Sequence, residues 1–332
     1  MSENDKKLLK QIKEACSNGP ISYRDYINLV LYTDDIGYYK RDYKRVGRSR
    51  NTDFYTAESL GQTFAELVVA AACELLGEHI SAQSTFIEIA AEPDTKLLNH
   101  LESHPFADDR VIRHGELVQA DGSVIIFANE WLDALPFHRL IYQKGQWHER
   151  AVDIGPGFDL NEVLLDDLTP EVAAISDRLP KQAPEGYQVD LPLFAEMAVA
   201  DLLAQDWTGL ILLFDYGRSW QALINDCPVG TARTYRRHKQ GNNLLDSPGA
   251  ADITCDICWD PLVDLFRDKG LQSITLESQE AFFVKRAQRA AQAIVQDTTN
   301  GRFNTAKQTL MELIHPTHMG QRFQALWGRR IG

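Results

Sequence analysis

Three short apolar runs, each ending in polar or small residues, place the strongest constraint on how this chain folds. They cover residues 85–89, 123–128 and 209–214 and are rich in Ile, Leu, Val and Phe. Continuous apolar runs of this length are typical of strands that are buried on both faces of a parallel sheet. Because helix-compatible segments separate the runs, the sequence predicts βαβ units with helices packed on the sheet.

Segments with helical spacing of apolar residues flank these runs. They cover residues 7–16, 22–32, 60–76 and 303–327. Ser22 is the predicted N-cap of the second helix, Gly77 ends the third, and Pro316 interrupts the fourth. A helical segment is therefore predicted ahead of the first strand of the sheet.

The regular spacing is lost between residues 142 and 188, where Gly, Pro and acidic residues are frequent. We interpret this stretch as part of a lobe inserted into an α/β core. The predicted domains are an N-terminal helical segment, a core in two pieces, and the inserted lobe. Their ranges are 1–80 for the helical segment, 81–140 and 205–332 for the core, and 141–204 for the lobe.

Composition limits the partners and the compartment. The chain has 34 Lys and Arg against 47 Asp and Glu, a formal charge of −13 that repels phosphate backbones. No apolar run approaches the ~18 residues needed to span a bilayer. Five cysteines in a chain of this length do not form a disulfide framework. We therefore expect a cytoplasmic protein with no nucleic-acid or membrane partner, whose oligomeric state the sequence leaves open.

Polar residues stand at the ends of the three predicted strands. They are Glu88, the pair Asn129 and Glu130, and Asp215. In open parallel sheets, ligands bind at the carboxyl ends of the strands. The sequence therefore predicts a ligand cleft that brings these side chains together.

Seven strings in one order resemble a known family. They are ISYRDYINLVLYTDDIGYY (21–39), TDFYTAESLGQTFAE (52–66), ANEWLDALPFHRL (128–140), LLFDYG (212–217), GTARTYRRH (230–238), DIT (252–254) and HPTHMGQRFQALWG (315–328). Their order and wording are similar to the MidA family of methyltransferases that depend on S-adenosylmethionine (SAM). That family includes an assembly factor of mitochondrial complex I with protein-arginine methyltransferase activity.

The resemblance implies the α/β fold of class I methyltransferases, a Rossmann-like three-layer sandwich, here with an N-terminal helical segment and an inserted lobe. It also implies that SAM is the cofactor and that the acceptor is a protein, with arginine as the modified residue. A second interpretation is a catalytically inactive pseudo-methyltransferase that acts as a binding or assembly factor. It is motivated by the altered cofactor turn of this chain.

The resemblance places the cofactor turn at residues 88–95, where the family uses glycines to bring backbone amides close to SAM. This chain has no glycine there. Glu88 ends the strand, and Ala90 replaces the first glycine, which the turn tolerates if its φ is negative. Glu92 adds bulk and charge where the carboxylate of the cofactor is expected. The alternative for the same residues is a purely structural turn that opens a helix, with Pro93 in its first turn.

Three more positions are assigned to the cofactor by resemblance. Asp53 and Thr56 match a Gly-Asp-Phe-x-Thr segment of the family. Glu116 is the carboxylate nearest to the place where the family uses a strand-terminal acid to bind ribose hydroxyls. Residues 110–116 are interpreted as the remnant of that strand.

The candidate catalytic residues are Asn129, Glu130 and Asp133. Carboxylates in such a cleft can hold a guanidinium in line with the sulfonium and accept its proton. The competing interpretation is that Asn129 and Asp133 cap a short helix ended by Pro136. No metal site is predicted, because the one C-x-x-C motif, residues 255–258, has no second ligand pair.

Overall fold

The computed structural model describes residues 3–41, 45, 53, 60–93, 95–297 and 304–331. Its α-helices are α1 (Glu3–Ala15), α2 (Tyr23–Tyr32), α3 (Gln62–Leu76), α4 (Glu78–Ser81), α5 (Pro170–Ala174), α6 (Leu193–Leu203), α7 (Trp220–Asn225), α8 (Trp259–Asp268), α9 (Gln279–Arg286), α10 (Gln288–Gln296) and α11 (Thr305–Ile314). Its strands are β1 (Ile21–Ser22), β2 (Thr85–Ala91), β3 (Asp108–Arg113), β4 (Gly122–Asn129), β5 (His138–Gln143), β6 (Gln146–Ile154), β7 (Leu160–Leu164), β8 (Gln188–Leu191), β9 (Trp207–Arg218), β10 (Arg233–Arg236), β11 (Lys239–Gly241), β12 (Asp252–Thr254), β13 (Ile257–Cys258), β14 (Gln272–Ser278) and β15 (Phe323–Arg330).

The largest sheet has the strand order β14-β15-β9-β4-β2-β3, and β13 pairs with the end of β9. Strands β3, β2, β4 and β9 run parallel, whereas β15 lies antiparallel between β9 and β14. The three predicted strands are β2, β4 and β9, so the parallel sheet expected from the apolar runs is confirmed. Because β2 and β4 are neighbours and β9 follows, their carboxyl ends lie along one edge of the sheet.

Helices cover both faces of this sheet. Helices α3, α9, α10 and α11 pack on one face and share its core with Phe86, Phe127 and Phe214 of the strands. Helices α6 and α8 cover the other face, against Ile87, Ile126 and similar side chains. The strands are buried on both sides, as their continuous apolar sequence requires. This is the three-layer α/β sandwich predicted for class I methyltransferases.

The C-terminal helix prediction is wrong beyond residue 314. Helix α11 ends at Ile314, and residues 323–330 form the antiparallel strand β15. Phe323, Ala325 and Trp327 lie in the core on one face of the sheet, and Leu326 lies on the other. This alternation between the two faces is that of a strand, so the helical spacing predicted for these apolar residues is wrong.

The N-terminal helices form as predicted. Helix α2 begins after Ser22, whose hydroxyl oxygen accepts a hydrogen bond from the amide of Asp25 at 3.1 Å. Helices α1 and α2 bury their apolar faces against Phe137 and Val152. No helix among the described residues is long and apolar enough to cross a membrane.

Two smaller sheets stand beside the large one. The first has the order β1-β6-β5-β8, with β7 paired to β6, and the second has the order β11-β10-β12. The first sheet, called here the lobe sheet, contains most of the predicted lobe but also takes β1 from the N-terminal segment. Helices α3 and α6 pack on the core sheet although they fall in the predicted helical segment and lobe. The division of the chain into domains stays a prediction.

Candidate functional site

A cleft of about 290 Å³ lies at the carboxyl ends of β2, β4 and β9. Its lining comes from the strand ends, the small β10–β12 sheet, the C-terminal segment before β15 and two residues nearer the N-terminus. The strand ends contribute Ala90, Glu92, His114, Asn129, Glu130, Asp133 and Tyr216. The other lining residues are Tyr235, His238, Asp252 and Thr254 of the small sheet, Thr317, His318, Met319, Arg322 and Phe323 of the C-terminal segment, and Tyr39 and Asp53. The carboxyl ends of β2, β4 and β9 therefore meet at one cleft, which Asn129 and Glu130 line, whereas the predicted Glu88 and Asp215 do not line it.

The expectation for Ala90 is wrong, and this residue lies near the end of β2, where the pairing with β3 shifts register between Ile89 and Ala91. Its φ is +65°, in the left-handed region, so the condition of a negative φ is not met. For an alanine this conformation costs about 1 kcal/mol, because Cβ approaches the following carbonyl. Glycine adopts it freely, which is why a glycine was expected here. The chain keeps the backbone geometry of a glycine turn without the glycine.

Glu92 is almost fully buried, and its charge is paired. The Nε of Arg45 donates to Glu92 Oε2 at 3.1 Å, and the Arg45 side chain is 1% exposed. Arg45 Nη1 also donates to the carbonyl of Tyr38 at 2.9 Å. The carbonyl of Glu92 accepts from Arg113, which also binds the carbonyl of Thr95 at 2.6 Å. The turn is thus held by two arginines, one on each side, and its added charge is neutralised within the chain.

Glu88 points back into the chain. It is buried, and its Oε2 accepts the amide of Leu97 at 2.7 Å. The predicted α-helix at Pro93 is not seen, since the first helical turn among the described residues after β2 is a 3₁₀ turn over Leu97–His100. The Glu88 carboxylate caps that turn, so its contacts in this structure are structural.

The end of β4 carries the candidate catalytic residues. The Glu130 amide donates to the carbonyl of Phe214 in β9 at 3.0 Å, and Glu130 has φ +52°. Asn129 Nδ2 donates to Glu130 Oε1 at 3.2 Å. Residues 130–136 form turns and bends, so the alternative that Asn129 and Asp133 cap a helix there is wrong. The chain leaves the strand in a tight turn because β9 holds its first amide.

Three buried carboxyl groups meet behind these residues. Asp215 Oδ2 accepts the amides of Leu132 and Asp133 at 2.8 and 3.2 Å, which fixes the loop after β4. Burial raises the pKa of Asp215 to about 7, with Glu130 adding to it. Burial also raises the pKa of Asp252 to about 6, against the hydrogen bonds from Tyr39 and the Ile253 amide.

Asp133 is the third buried carboxyl group of this set. Burial and the neighbouring charges of Asp215 and Asp252 raise the pKa of its carboxyl well above the usual range. No side chain among the described residues donates a hydrogen bond to it, whereas Asp252 accepts from Tyr39 at 2.9 Å. Burial and like charge both disfavour ionisation, so this carboxyl favours its neutral form until a further positive charge is placed beside it.

The remaining predicted cofactor residues are dispersed. Asp53 lies at the side of the cleft and accepts from Tyr38 Oη at 3.0 Å and from the Arg237 amide at 2.9 Å. Thr56 lies outside the described residues. Glu116 does not line the cleft; its Oε2 accepts the Arg113 amide of its own turn at 2.7 Å. The strand expected before it is complete, as β3, and not a remnant.

Sequence reasoning missed His114 and Tyr39. His114 directly follows β3, lines the cleft and stacks on Tyr39 with ring centroids 4.0 Å apart. Burial, with Arg45 and Lys40, lowers the pKa of His114 to about 3, so the ring is neutral at physiological pH. The available signal was the position of His114 at a strand end, where an acid was sought instead.

Several lining residues have polar atoms that the chain itself does not satisfy. They are His114 Nδ1, Asn129 Oδ1 and Thr254 Oγ1, each buried without a hydrogen-bond partner among the described residues. Buried polar atoms normally have a partner, and a ligand can supply one. Polar atoms, stacked rings and buried carboxyls together fit a ligand with hydrogen-bonding groups, a flat ring and positive charge, which SAM has.

Comparison with known proteins agrees with this geometry. A family model described as "Putative S-adenosyl-L-methionine-dependent methyltransferase" matches residues 67–276. The chain is 22% identical over 378 residues to the mitochondrial protein arginine methyltransferase NDUFAF7 homolog of Drosophila melanogaster, covering 96% of this chain and 84% of that protein. It is 30% identical over 138 residues to the NDUFAF7 protein of Xenopus tropicalis, which is 41% of this chain and 30% of that protein.

A solved structure shows the same fold. It is a superfamily member from Burkholderia thailandensis bound to S-adenosylhomocysteine, with a TM-score of 0.82 and 21% identity, covering 98% of this chain and 92% of that one. The cytoplasmic location stays a prediction, since the relatives are named mitochondrial. The match of the family model over more than half of the sequence confirms the family resemblance, and this chain belongs to the family of S-adenosyl-L-methionine-dependent methyltransferases.

Proposed function

We propose that this protein transfers a methyl group from SAM to an arginine side chain of a protein. The observation that carries the proposal is the group of buried carboxyls, Asp133, Asp215 and Asp252, beside the cleft of a methyltransferase fold. A guanidinium is planar, cationic and rich in N–H donors, and carboxylates are its natural partners. The names of the relatives as protein arginine methyltransferases support the choice of acceptor.

His114, Asn129 and Thr254 are the residues that would hold the cofactor, because each brings to the cleft a buried polar atom that no described residue binds. SAM supplies an electrophilic methyl group on a sulfonium. The turn around Ala90 contributes backbone in a left-handed conformation, close to the cleft. Glu92 does not oppose an anionic group there, since Arg45 balances its charge.

Asp133 and Glu130 would hold the acceptor. A guanidinium next to Asp133 lowers the pKa of that carboxyl, because the opposite charge favours ionisation. The resulting carboxylate fixes the orientation of the nitrogen and can accept its proton as methylation proceeds. Asp215 acts through Asp133, since it binds the amides of Leu132 and Asp133 and so sets the position of the loop.

The altered turn motivates the second candidate, a protein that keeps the cleft as a binding or assembly module without methylating. Ala90 is strained and Glu92 is bulky where the family uses glycine. In that case the cleft would bind a partner and the purified protein would show no affinity for SAM.

Isothermal titration with SAM and S-adenosylhomocysteine separates the two. The proposal expects micromolar binding of both, followed by mass-spectrometric detection of methylarginine on an arginine-containing peptide or protein extract. Absence of heat at millimolar ligand would remove the enzyme and favour the binding module. A variant with Asp264→Asn on the exposed face of α8 serves as a matched control, since it should bind as the parent does.

A further inference from the structure

A second cavity, of about 820 Å³, lies between the lobe sheet and the β10–β11 hairpin. Arg139 of β5, Arg150 of β6 and Arg233 of β10 line it, with Glu162 of β7 as the one carboxylate among the lining residues. The rest of the lining is uncharged and includes the amide side chains of Gln188 and Gln240. Arg233 is already paired, because its Nη1 donates to Oδ1 of the buried Asp256 at 2.6 Å. Arg139 and Arg150 are therefore the arginines that a ligand could reach.

Arg139 lines the cavity, and its guanidinium is fixed by Asp190. Its Nε donates to Asp190 Oδ1 at 2.9 Å, and its guanidinium stacks on the ring of Tyr23 at 4.9 Å. Asp190 also accepts the amides of Thr231 and Ala232 at 2.6 and 2.7 Å, so its charge is shared among three donors. The Arg139 side chain is 7% exposed, yet within the described part of the chain its Nη1 has only a distant contact, 3.9 Å from Glu162 Oε2. A buried guanidinium fixed in this way is pre-organised for an anion.

Arg150 is placed beside it. Its Nη1 donates to Gln188 Oε1, and its Nη2 contacts both oxygens of Glu162 at 2.7 and 2.6 Å. Its Nε is buried without a hydrogen-bond partner among the described residues. The two guanidiniums flank the face of Tyr23, at 4.9 and 5.8 Å from the ring centroid. Two planar donors side by side match the oxygens of a carboxylate.

Glu162 provides the carboxylate that Arg150 binds in this structure. It lies on β7, which pairs with β6 alone among the described strands, and its side chain is 36% exposed. Its carboxylate takes hydrogen bonds from Arg150 and from Tyr23 Oη, the latter at 2.6 Å. Solvent reaches this partly exposed ion pair, so an incoming carboxylate that makes the same contacts can replace Glu162. Asp190 and Asp256 cannot be replaced in the same way, because both are buried.

We propose that this cavity binds the carboxylate of a ligand at Arg139 and Arg150, and that Glu162 is a resident carboxylate which the ligand displaces. The site is separate from the cleft, although β10 borders both. Arg233 lines the cavity and lies over the rings of Tyr216 and Tyr235, which line the cleft, at 5.3 and 5.9 Å. An acidic segment bound here would therefore lie one strand away from the cleft. The binding itself does not depend on the proposed methyl transfer.

The experiment compares binding to the intact protein and to Glu162→Gln, without SAM, by isothermal titration. The probes are succinate and a short peptide with two glutamates, each with its amide counterpart, in which amides replace the carboxylates. The expected result is that Glu162→Gln binds at least one carboxylate probe tenfold or more tightly than the parent, with no gain for the amide counterparts. Succinate alone would identify a small acid as the ligand, and the peptide alone an acidic segment of a protein.

Two further variants keep the test decisive. Arg150→Gln combined with Glu162→Gln should lose the gained affinity, whereas Glu171→Gln, on a half-buried glutamate paired with Arg24 outside the cavity, should bind as the parent does. Thermal unfolding of each variant shows that it is folded. The proposal is overturned if Glu162→Gln is folded and binds neither probe more tightly than the parent. Titration with SAM in the same series reports on the proposed function separately.

Discussion

The turn after β2 and the loop after β4 lie at the same edge of one sheet, yet they differ in whether their buried carboxylates have partners within the chain. In the turn, Glu92 is paired with Arg45, and Glu88 accepts the Leu97 amide. In the loop, Asp133 is buried with no side-chain donor among the described residues. The turn is stabilised by contacts within the chain. The loop holds a carboxyl that favours its neutral form unless a further positive charge is placed beside it.

This contrast has an energetic meaning. A buried ion pair is costly to break because the remaining charge is left without compensation. A buried carboxyl with a raised pKa can stay neutral until a cation arrives, and then ionises in its favour. The first arrangement fixes a backbone and the second stores affinity for a ligand. Variants on each side should therefore differ in whether stability or activity changes.

The largest effect is expected at Arg45. Arg45→Met should lower the free energy of unfolding by about 3–5 kcal/mol, because it leaves Glu92 buried without its partner. Urea unfolding at pH 7 measures this. The double variant with Glu92→Gln should recover part of the loss, since the unpaired charge is then gone. A loss below about 1 kcal/mol in Arg45→Met would show that the pair does not hold the turn.

At Asp133 the effect should fall on activity. Asp133→Asn resembles the neutral carboxyl in shape, so stability should change by less than about 1 kcal/mol. Methyl transfer should fall by about 10²-fold, because the amide can neither balance a guanidinium nor accept its proton. Initial rates with labelled SAM, next to Asp264→Asn as control, measure this. Full activity in Asp133→Asn would assign the acceptor contact to another carboxyl.

The features that the sequence could predict are those that depend on local patterns. Strands β2, β4 and β9 followed from local apolar runs, and the cleft followed from the rule that carboxyl ends of parallel strands meet. Asn129, Glu130 and Asp133 were placed there because they come directly after a strand. Such features depend on a few neighbouring residues, which a single sequence displays.

The rest depended on contacts far apart in the chain. Arg45 and Glu92 are 47 residues apart, and no local pattern pairs them. Strand β15 was assigned a helical period because its apolar residues can satisfy either spacing until the neighbouring strands are known. The left-handed conformation of Ala90 contradicts the local preference of alanine, so the residue type gives no sign of it.

Asp252 allows a test by pH. Its pKa is raised from 3.8 to about 6, so between those values the folded protein keeps a proton that the unfolded chain has lost. The contribution of this group to stability is therefore present below pH 4 and is lost as the pH rises to 6, by up to about 1.4 kcal/mol per pH unit. Asp252→Asn keeps an oxygen for Tyr39 and the Ile253 amide and should flatten this part of the pH profile.

Denaturant unfolding at several pH values between 4 and 7 measures that slope. Asp264→Asn, on an exposed aspartate of α8, is the matched control and should leave the profile unchanged. An unchanged slope in Asp252→Asn would mean that Asp252 ionises in the folded protein as it does in the unfolded chain. The carboxyl cluster would then resemble the Arg45–Glu92 pair, whose charges are balanced, more closely than a buried carboxyl with a raised pKa.

The smallest effect is expected at Ala90. Ala90→Gly removes a Cβ from a left-handed residue and should raise the free energy of unfolding by about 0.5–1 kcal/mol, the relief of strain exceeding the added entropy of the unfolded chain. Ala91→Gly is the control, since Ala91 is the next residue of β2 and does not have a positive φ, so its replacement should destabilise. If Ala90→Gly also binds SAM more tightly while the Arg45–Glu92 pair is kept, strain at this one residue limits cofactor affinity. If Ala90→Gly is less stable than the parent, we infer that Ala90 adopts a negative φ in the parent protein. The turn then does not resemble a glycine turn.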